Sequence, residues 1–177
     1  MINIFFPGKG QKQSIGARLL PALGKVLDVA YLGASQYVQQ GNSPRLLLID
    51  KPCARICCPK GLVLMEQESP GQISLNGDFI CVLWSGHQPA LEFAQKHKIK
   101  TVTCGLSPYD TLTLSSITAE LAVVTLQRKI CTLGGTTIEP ADFPVALSQL
   151  WEAEAILAAA AILLLSDCGD QLQKLVL

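Results

Sequence analysis

The sequence predicts an α/β protein: a three-layer, mostly parallel sheet in one domain over residues 1–177, finished by a C-terminal antiparallel ribbon and a closing helix. Three observations predict it. Short continuous apolar runs, Ile2 to Phe6, Arg45 to Asp50 and Phe79 to Trp84, have the texture of parallel strands buried on both faces. Segments of helical spacing alternate with them, which is the order a sheet covered by helices requires. Polar residues gather where those runs end, at Ser85-Gly86-His87 and at Cys104 to Ser107, and in open parallel sheets ligands lie outside the carboxyl ends of the strands.

Taken in order, Ile2 to Phe6 is a first strand, followed by the basic, glycine-containing loop Pro7 to Ser14. Ile15 to Tyr31 has helical spacing through Ile15, Leu19, Leu23, Val26, Leu27 and Ala30, with Pro21 and Gly24 as points where it can kink or split. Arg45 to Asp50 is a buried strand ending in an acid. That acid either caps the turn before Pro52 or holds a magnesium ion through water. Gly61 to Met65 is a short strand, and Glu66 to Gly77, with Ser69-Pro70-Gly71 and Asn76-Gly77, is a loop or exposed hairpin. Phe79 to Trp84, Pro89 to His97 and Lys100 to Cys104 form a strand, helix and strand, with Lys96 and Lys98 near the helix C-terminus suiting its dipole. A loop around Asp110 follows. Leu121 to Leu133 and Thr136 to Ile138 form an antiparallel ribbon turning at Gly134-Gly135. Ala146 to Leu165 is the closing helix, and Asp167 to Leu177 is a tail with apolar anchors.

Composition narrows the function classes. Fourteen basic and fourteen acidic residues cancel, so the chain has no overall electrostatic footprint for nucleic acid or an anionic membrane. Charged residues are 16% and apolar residues 49%, a balance that leaves room for a partner, such as a second copy, on an apolar face. The longest apolar run, Ala155 to Leu165, has eleven residues, short of the roughly 20 a spanning helix needs. The N-terminal run stops at Pro7 without a cleavage pattern, and seven scattered cysteines are an odd number. Together these features predict a cytoplasmic protein with reduced thiols.

Four groups of residues invite chemistry. A glycine-containing loop between a strand and a helix presents backbone N–H groups and a helix dipole to phosphate, which makes Gly8, Lys9, Gly10, Lys12 and Ser14 candidate ligand-binding residues. A solvated turn accounts for the same residues. Cys53, Cys57 and Cys58 put three thiols in six residues, but the spacing matches no usual metal-ligand pair, and no metal site is predicted. Cys104, beside Gly105 and near His87 and Asp110 in the predicted layout, is either a thiol nucleophile or a small core residue. The hydroxyls at Ser107, Thr111, Thr113, Ser115 and Ser116, with Asp110, either cap turns or border a ligand. No catalytic residue is assigned.

The order of these parts resembles the central ATP-binding domain of the Mur ligases and their folylpolyglutamate synthetase relatives. The likeness covers about Phe79 to Leu165, through Trp84-Ser85-Gly86-His87, Val102 to Ser107, Asp110, the ribbon at Gly134-Gly135 and the alanine-rich helix Ala155 to Ala160. Gly8 and Lys12 stand where that family's phosphate loop has its first glycine and its lysine. The resemblance implies a nucleotide such as ATP, or another phosphorylated ligand, bound by Gly8, Lys9, Gly10, Lys12, Ser14, His87 and Asp110. Gln11 and Gln13 replace the loop's second glycine and threonine, Ser85-Gly86-His87 replaces an acidic turn, and Glu154 or Glu152 stands for a helix asparagine. The family's Asp-His-Leu-Asp segment and its flanking domains are missing. The expectation is therefore the fold and a ligand without ligase activity. The alternative is a structural or regulatory protein whose apolar closing helix lies in a homodimer or partner interface.

Overall fold

The computed structural model describes residues 1–7, 14–65 and 73–177. Among these, ten strands form one sheet, in the order β12-β9-β8-β7-β6-β5-β1-β4-β2-β3. The strands are β1 (Ile2–Phe5), β2 (Val29–Leu32), β3 (Tyr37–Gln40), β4 (Leu46–Ile49), β5 (Arg55–Met65), β6 (Ser74–Trp84), β7 (Lys100–Gly105), β8 (Leu112–Ile117), β9 (Leu121–Leu126) and β12 (Ala141–Ala146). A separate two-stranded ribbon pairs β10 (Ile130–Cys131) with β11 (Thr137–Ile138). From β8 across to β2 every neighbouring pair is parallel. Only the β2–β3, β8–β9 and β9–β12 pairs are antiparallel. The expected α/β, mostly parallel sheet is present.

Period-two alternation along the central strands sorts their side chains into two cores. Ile4, Leu62, Leu64, Ile80, Val82, Val102 and Cys104 pack with Leu19 and Leu23 of α1 (Ile15–Val26) and with α3 (Ala153–Leu165). Phe5, Val63, Met65, Phe79, Cys81 and Leu83 pack with Ala90, Phe93 and Ala94 of α2 (Gln88–Lys96). Helices therefore cover both faces of the sheet, making three layers. Every residue of α3 from Ala155 to Leu165 is buried within the chain. An all-round apolar helix needs cover on every side, and this one is covered by its own domain. From Ala155 to Leu165 the closing helix therefore leaves no apolar face of its own uncovered.

Several boundaries move. The first helix ends at Val26 because Leu27 takes an extended backbone, and Val29 to Leu32 becomes β2 rather than helix. The cysteine segment is strand: β5 starts at Arg55 and runs through Cys57, Cys58 and Pro59 past a bulge before Lys60. Ser74 to Gly77 opens β6, parallel to β5, so this part of the predicted loop is not a hairpin; residues 66–72 lie outside the described residues. Leu121 to Leu126 joins the main sheet, leaving only β10 and β11 as the ribbon. Ala141 to Ala146 is an edge strand, where Pro144 is tolerated because an edge position leaves N–H groups unpaired anyway. The closing helix accordingly starts at Ala153.

Candidate functional site

The chain leaves β1 toward β2 and β4 on one side, and β5 lies on its other side. The strand order thus reverses between β1 and β5, the place where an open α/β sheet forms a crevice at its strand carboxyl ends. A crevice is present there, lined by Phe6 beyond β1, Leu64 and Met65 of β5, Trp84 of β6, Cys104 of β7, and Ile15 and Glu154 from the first turns of α1 and α3. Its volume is about 20 Å³, room for a single water. Among the described residues it is therefore the floor of a site and not a finished pocket.

On the β1/β4 side, Ser14 caps α1: its Oγ accepts from Ala17 N at 3.2 Å. The same hydroxyl donates to Asp50 Oδ2, just past β4, and Tyr31 of β2 donates its O–H to that oxygen at 2.8 Å. Ser14, Tyr31 and Asp50 are all buried, with Asp50 3% exposed. A carboxylate at that depth persists because donors replace its lost water. Asp50 therefore ties α1, β2 and β4 together, and a simple cap of the turn before Pro52 is not its role. Sequence reasoning missed this trio, since its members lie 36 and 19 residues apart and only the β1–β4–β2 order brings them together. The first turn of α1 holds no acid of its own, and the Asp50 carboxylate, bonded to the N-cap Ser14, stands at its positive end.

On the β6/β7 side, Ser85, Gly86 and His87 lead into α2. His87 is its N-cap residue but makes no capping bond with its side chain. Its Nδ1 is buried and has no hydrogen-bond partner among the described residues. Gly105 at the end of β7 has no room for a side chain. A Cβ there would run into Asp110 Oδ2 and come within 2.6 Å of Ser85 Oγ, so these two groups converge over its backbone. Asp110, 3% exposed, accepts from Ser107 N at 3.1 Å. Thr111 N donates to Thr103 Oγ1 at 3.0 Å, which pins the loop's far end to β7.

Of the predicted site residues, His87 and Asp110 fall on neighbouring strand ends with Ser85 between them. Ser14 lies on the far side of the crevice, over β1 and β4, two to four strand spacings away, or roughly 10–19 Å at the usual strand spacing. Gly8, Lys9, Gly10 and Lys12 lie outside the described residues. Burial pushes the Cys104 thiol far above its ordinary range, and the nearby Asp110 and Glu154 carboxylates push it the same way. A thiol held protonated is a poor nucleophile, so Cys104 is a core residue. His97 is exposed and stacks with Phe93 at 4.5 Å. Among the described residues no three His, Cys, Asp or Glu side chains group as a metal site requires, and Cys57 and Cys58 instead alternate along β5 as exposed and half-buried.

The sheet, the strand reversal and the crevice define the class: an open, mostly parallel α/β domain with its candidate site at a topological switch point. No protein-family model matches the chain, and no curated protein matches it. Among solved structures it is similar to a UDP-N-acetylmuramoyl-L-alanyl-D-glutamate–2,6-diaminopimelate ligase. The TM-score is 0.49 and the sequence identity 14%, over 98% of this chain and 46% of that one. The chain thus spans about half the length of that structure. No helix among the described residues is long and apolar enough to cross a membrane.

Proposed function

We propose that the domain binds a nucleotide such as ATP, or another phosphorylated small molecule, at the β1/β5 switch point, without ligating it to a second substrate. The observation that carries this reading is the start of α1 at the strand reversal, beside the crevice. The segment joining β1 to α1 supplies Gly8, Lys9, Gly10 and Lys12, where glycines permit close backbone approach and lysines neutralise phosphate. Asp50 holds Ser14, and with it the first turn of α1, in place. On the opposite wall His87 offers an unpaired ring nitrogen, and Asp110 fixes the loop that borders the ligand. Binding without ligation is supported by Gln13, which stands where a phosphate loop has its magnesium-holding hydroxyl, and by Ser85-Gly86-His87, which carries no carboxylate.

Thermal unfolding with ATP, GTP and UDP-sugars, each with and without magnesium, tests the proposal. A ligand at a hundred times its Kd stabilises by about 2.7 kcal/mol, a rise of roughly 5–10 °C for a domain of this size. Trp84 lines the crevice, so its fluorescence should change on binding and Trp84→Phe should silence the signal. Lys12→Ala should remove the shift. No shift at millimolar concentrations, or an equal shift in Lys12→Ala, overturns the reading.

A further inference from the structure

A second concavity lies away from the strand-end crevice. It runs between β7 and the β10–β11 ribbon, has a volume of about 250 Å³, and is lined by Ile80, Lys100, Thr101, Val102, Thr111, Arg128, Lys129, Ile130 and Cys131. That is room for about eight waters at roughly 30 Å³ each, where the crevice holds one. Its lining carries three cations and no carboxylate, although acidic and basic residues balance over the chain as a whole.

Two features separate this groove from an ordinary solvated lysine patch. Among the described residues, only Lys100 of the three cations is ion-paired, to Asp78 at 3.1 Å, so a double positive charge stays uncompensated in one hollow. Arg128 and Lys129 are exposed at the rim, and like charges side by side over one hollow add their fields there, so an anion in it meets both. Arg128 is also held rather than loose: one of its N–H groups donates to the Tyr109 carbonyl at 2.7 Å. A guanidinium anchored by one donor keeps its remaining donors in a fixed fork, the arrangement that grips two oxygens of a carboxylate or phosphate at once. The apolar floor of Ile80, Val102 and Ile130 keeps the local dielectric low under the charges.

We propose that this groove is a second binding site, for a small dianion of the phosphate-ester or dicarboxylate class, held by Arg128 and Lys129 with Lys100 at its edge. The site is independent of the strand-end crevice, which shares none of its lining residues. An effector bound here would lie directly beneath the loop of Asp110, because Arg128 touches that loop at Tyr109.

Cys131 is an exposed thiol on the groove wall, and Cys57 is an exposed thiol outside it. Peptide-level mass spectrometry of iodoacetamide alkylation reads both in one sample. Millimolar glycerol 3-phosphate or succinate should slow labelling of Cys131 at least fivefold while Cys57 changes less than twofold, and 0.5 M sodium chloride should erase the difference. Arg128→Gln with Lys129→Gln should abolish protection, whereas Arg128→Lys should keep part of it. Lys12→Ala should leave protection intact, so failure here is distinguishable from failure of nucleotide binding. Stronger protection by glycerol 3-phosphate assigns the phosphate-ester class, and equal protection assigns dianions generally. The proposal is overturned if neither anion protects Cys131, if the double variant is still protected, or if protection disappears with Lys12→Ala.

Discussion

Two buried aspartates stand at carboxyl ends of the same sheet, equally hidden from solvent, and do opposite kinds of work. Asp50 gathers hydroxyls from Ser14 and Tyr31, two elements far away in sequence. Asp110 accepts from Ser107, three residues away in its own loop, and leans over Gly105. The first is a tertiary clamp that exists only once β1, β4 and β2 are assembled. The second is a local turn, formed by the chain segment itself and then pressed onto β7. Burial alone does not tell them apart; the sequence distance of their partners does. It follows that damage at Asp50 should spread across three elements, while damage at Asp110 should stay in one loop.

The largest expected effect comes from Asp50→Ala, which removes the one acceptor that the Ser14 and Tyr31 hydroxyls share. A hydrogen bond to a charged acceptor is worth about 1.5–3 kcal/mol, so a loss of about 3 kcal/mol in urea unfolding is expected. Tyr31→Phe and Ser14→Ala remove a donor along with its need for a partner, and each should cost only about 1 kcal/mol. In the Tyr31→Phe, Ser14→Ala background, Asp50→Ala should therefore cost much less than it does alone. Additive losses would show that Asp50 is not a shared acceptor, and the contrast with Asp110 would collapse.

Gly105→Ala comes next. The added methyl meets Asp110 and Ser85 together, and crowding of this kind costs about 1–3 kcal/mol. Asp110→Ala alone gives up the bond to Ser107, and a loss of about 1 kcal/mol is expected, as for a cap residue. Combined, the two changes should cost less than their sum, because truncating Asp110 removes one of the two obstacles. Hydrogen exchange should show the loss confined to the segment from Ser107 to Thr111. Exchange accelerated as far away as β2 would mean that Asp110 too is a tertiary clamp.

The same distinction decides what could be read in advance. β6, α2 and β7 were legible because each signal is local: unbroken apolar runs and Ala90, Phe93 and Ala94 on one helical face. Local signals also misled. Val29 to Leu32 continues the apolar spacing of α1, so the turn into β2 was hidden. Leu112 to Leu114 alternates as a strand should, but the irregularity between Leu114 and Ser116 breaks the period and the hydroxyls disguised β8 as loop. Pro144 masked β12 because only an edge position makes it tolerable. The positions of His87 and Asp110 beyond neighbouring strand ends were readable from the apolar runs before them and from loop composition. The Ser14–Asp50–Tyr31 clamp was not, since nothing local to Asp50 signals a hydroxyl 36 residues away. Long-range polar contacts depend on strand order, and strand order has no sequence period.

The smallest expected effect tests the electrostatics on the Asp110 side. Burial, then Asp110, then Glu154 hold the Cys104 thiol protonated well into the alkaline range, whereas an unfolded-chain thiol ionises near pH 8.5. A group whose folded pKa is raised contributes its full stability below the unfolded pKa and loses it as pH climbs toward the folded one. Between pH 8 and 9.5 this thiol alone should cost about 1 kcal/mol of stability, and Cys104→Ala should flatten the pH profile by that amount. Cys81, pushed up to about 12 by burial alone, gives the control: Cys81→Ala should flatten the profile similarly. The two thiols should part company when Asp110→Asn removes a neighbouring charge. That change should make Cys104 more reactive toward a small alkylating agent at pH 9.5, measured against Cys81, and leave Cys81 unmoved. Equal changes in both would mean that Asp110 acts by loosening the fold rather than through its charge, and its role as a purely local element would have to be given up.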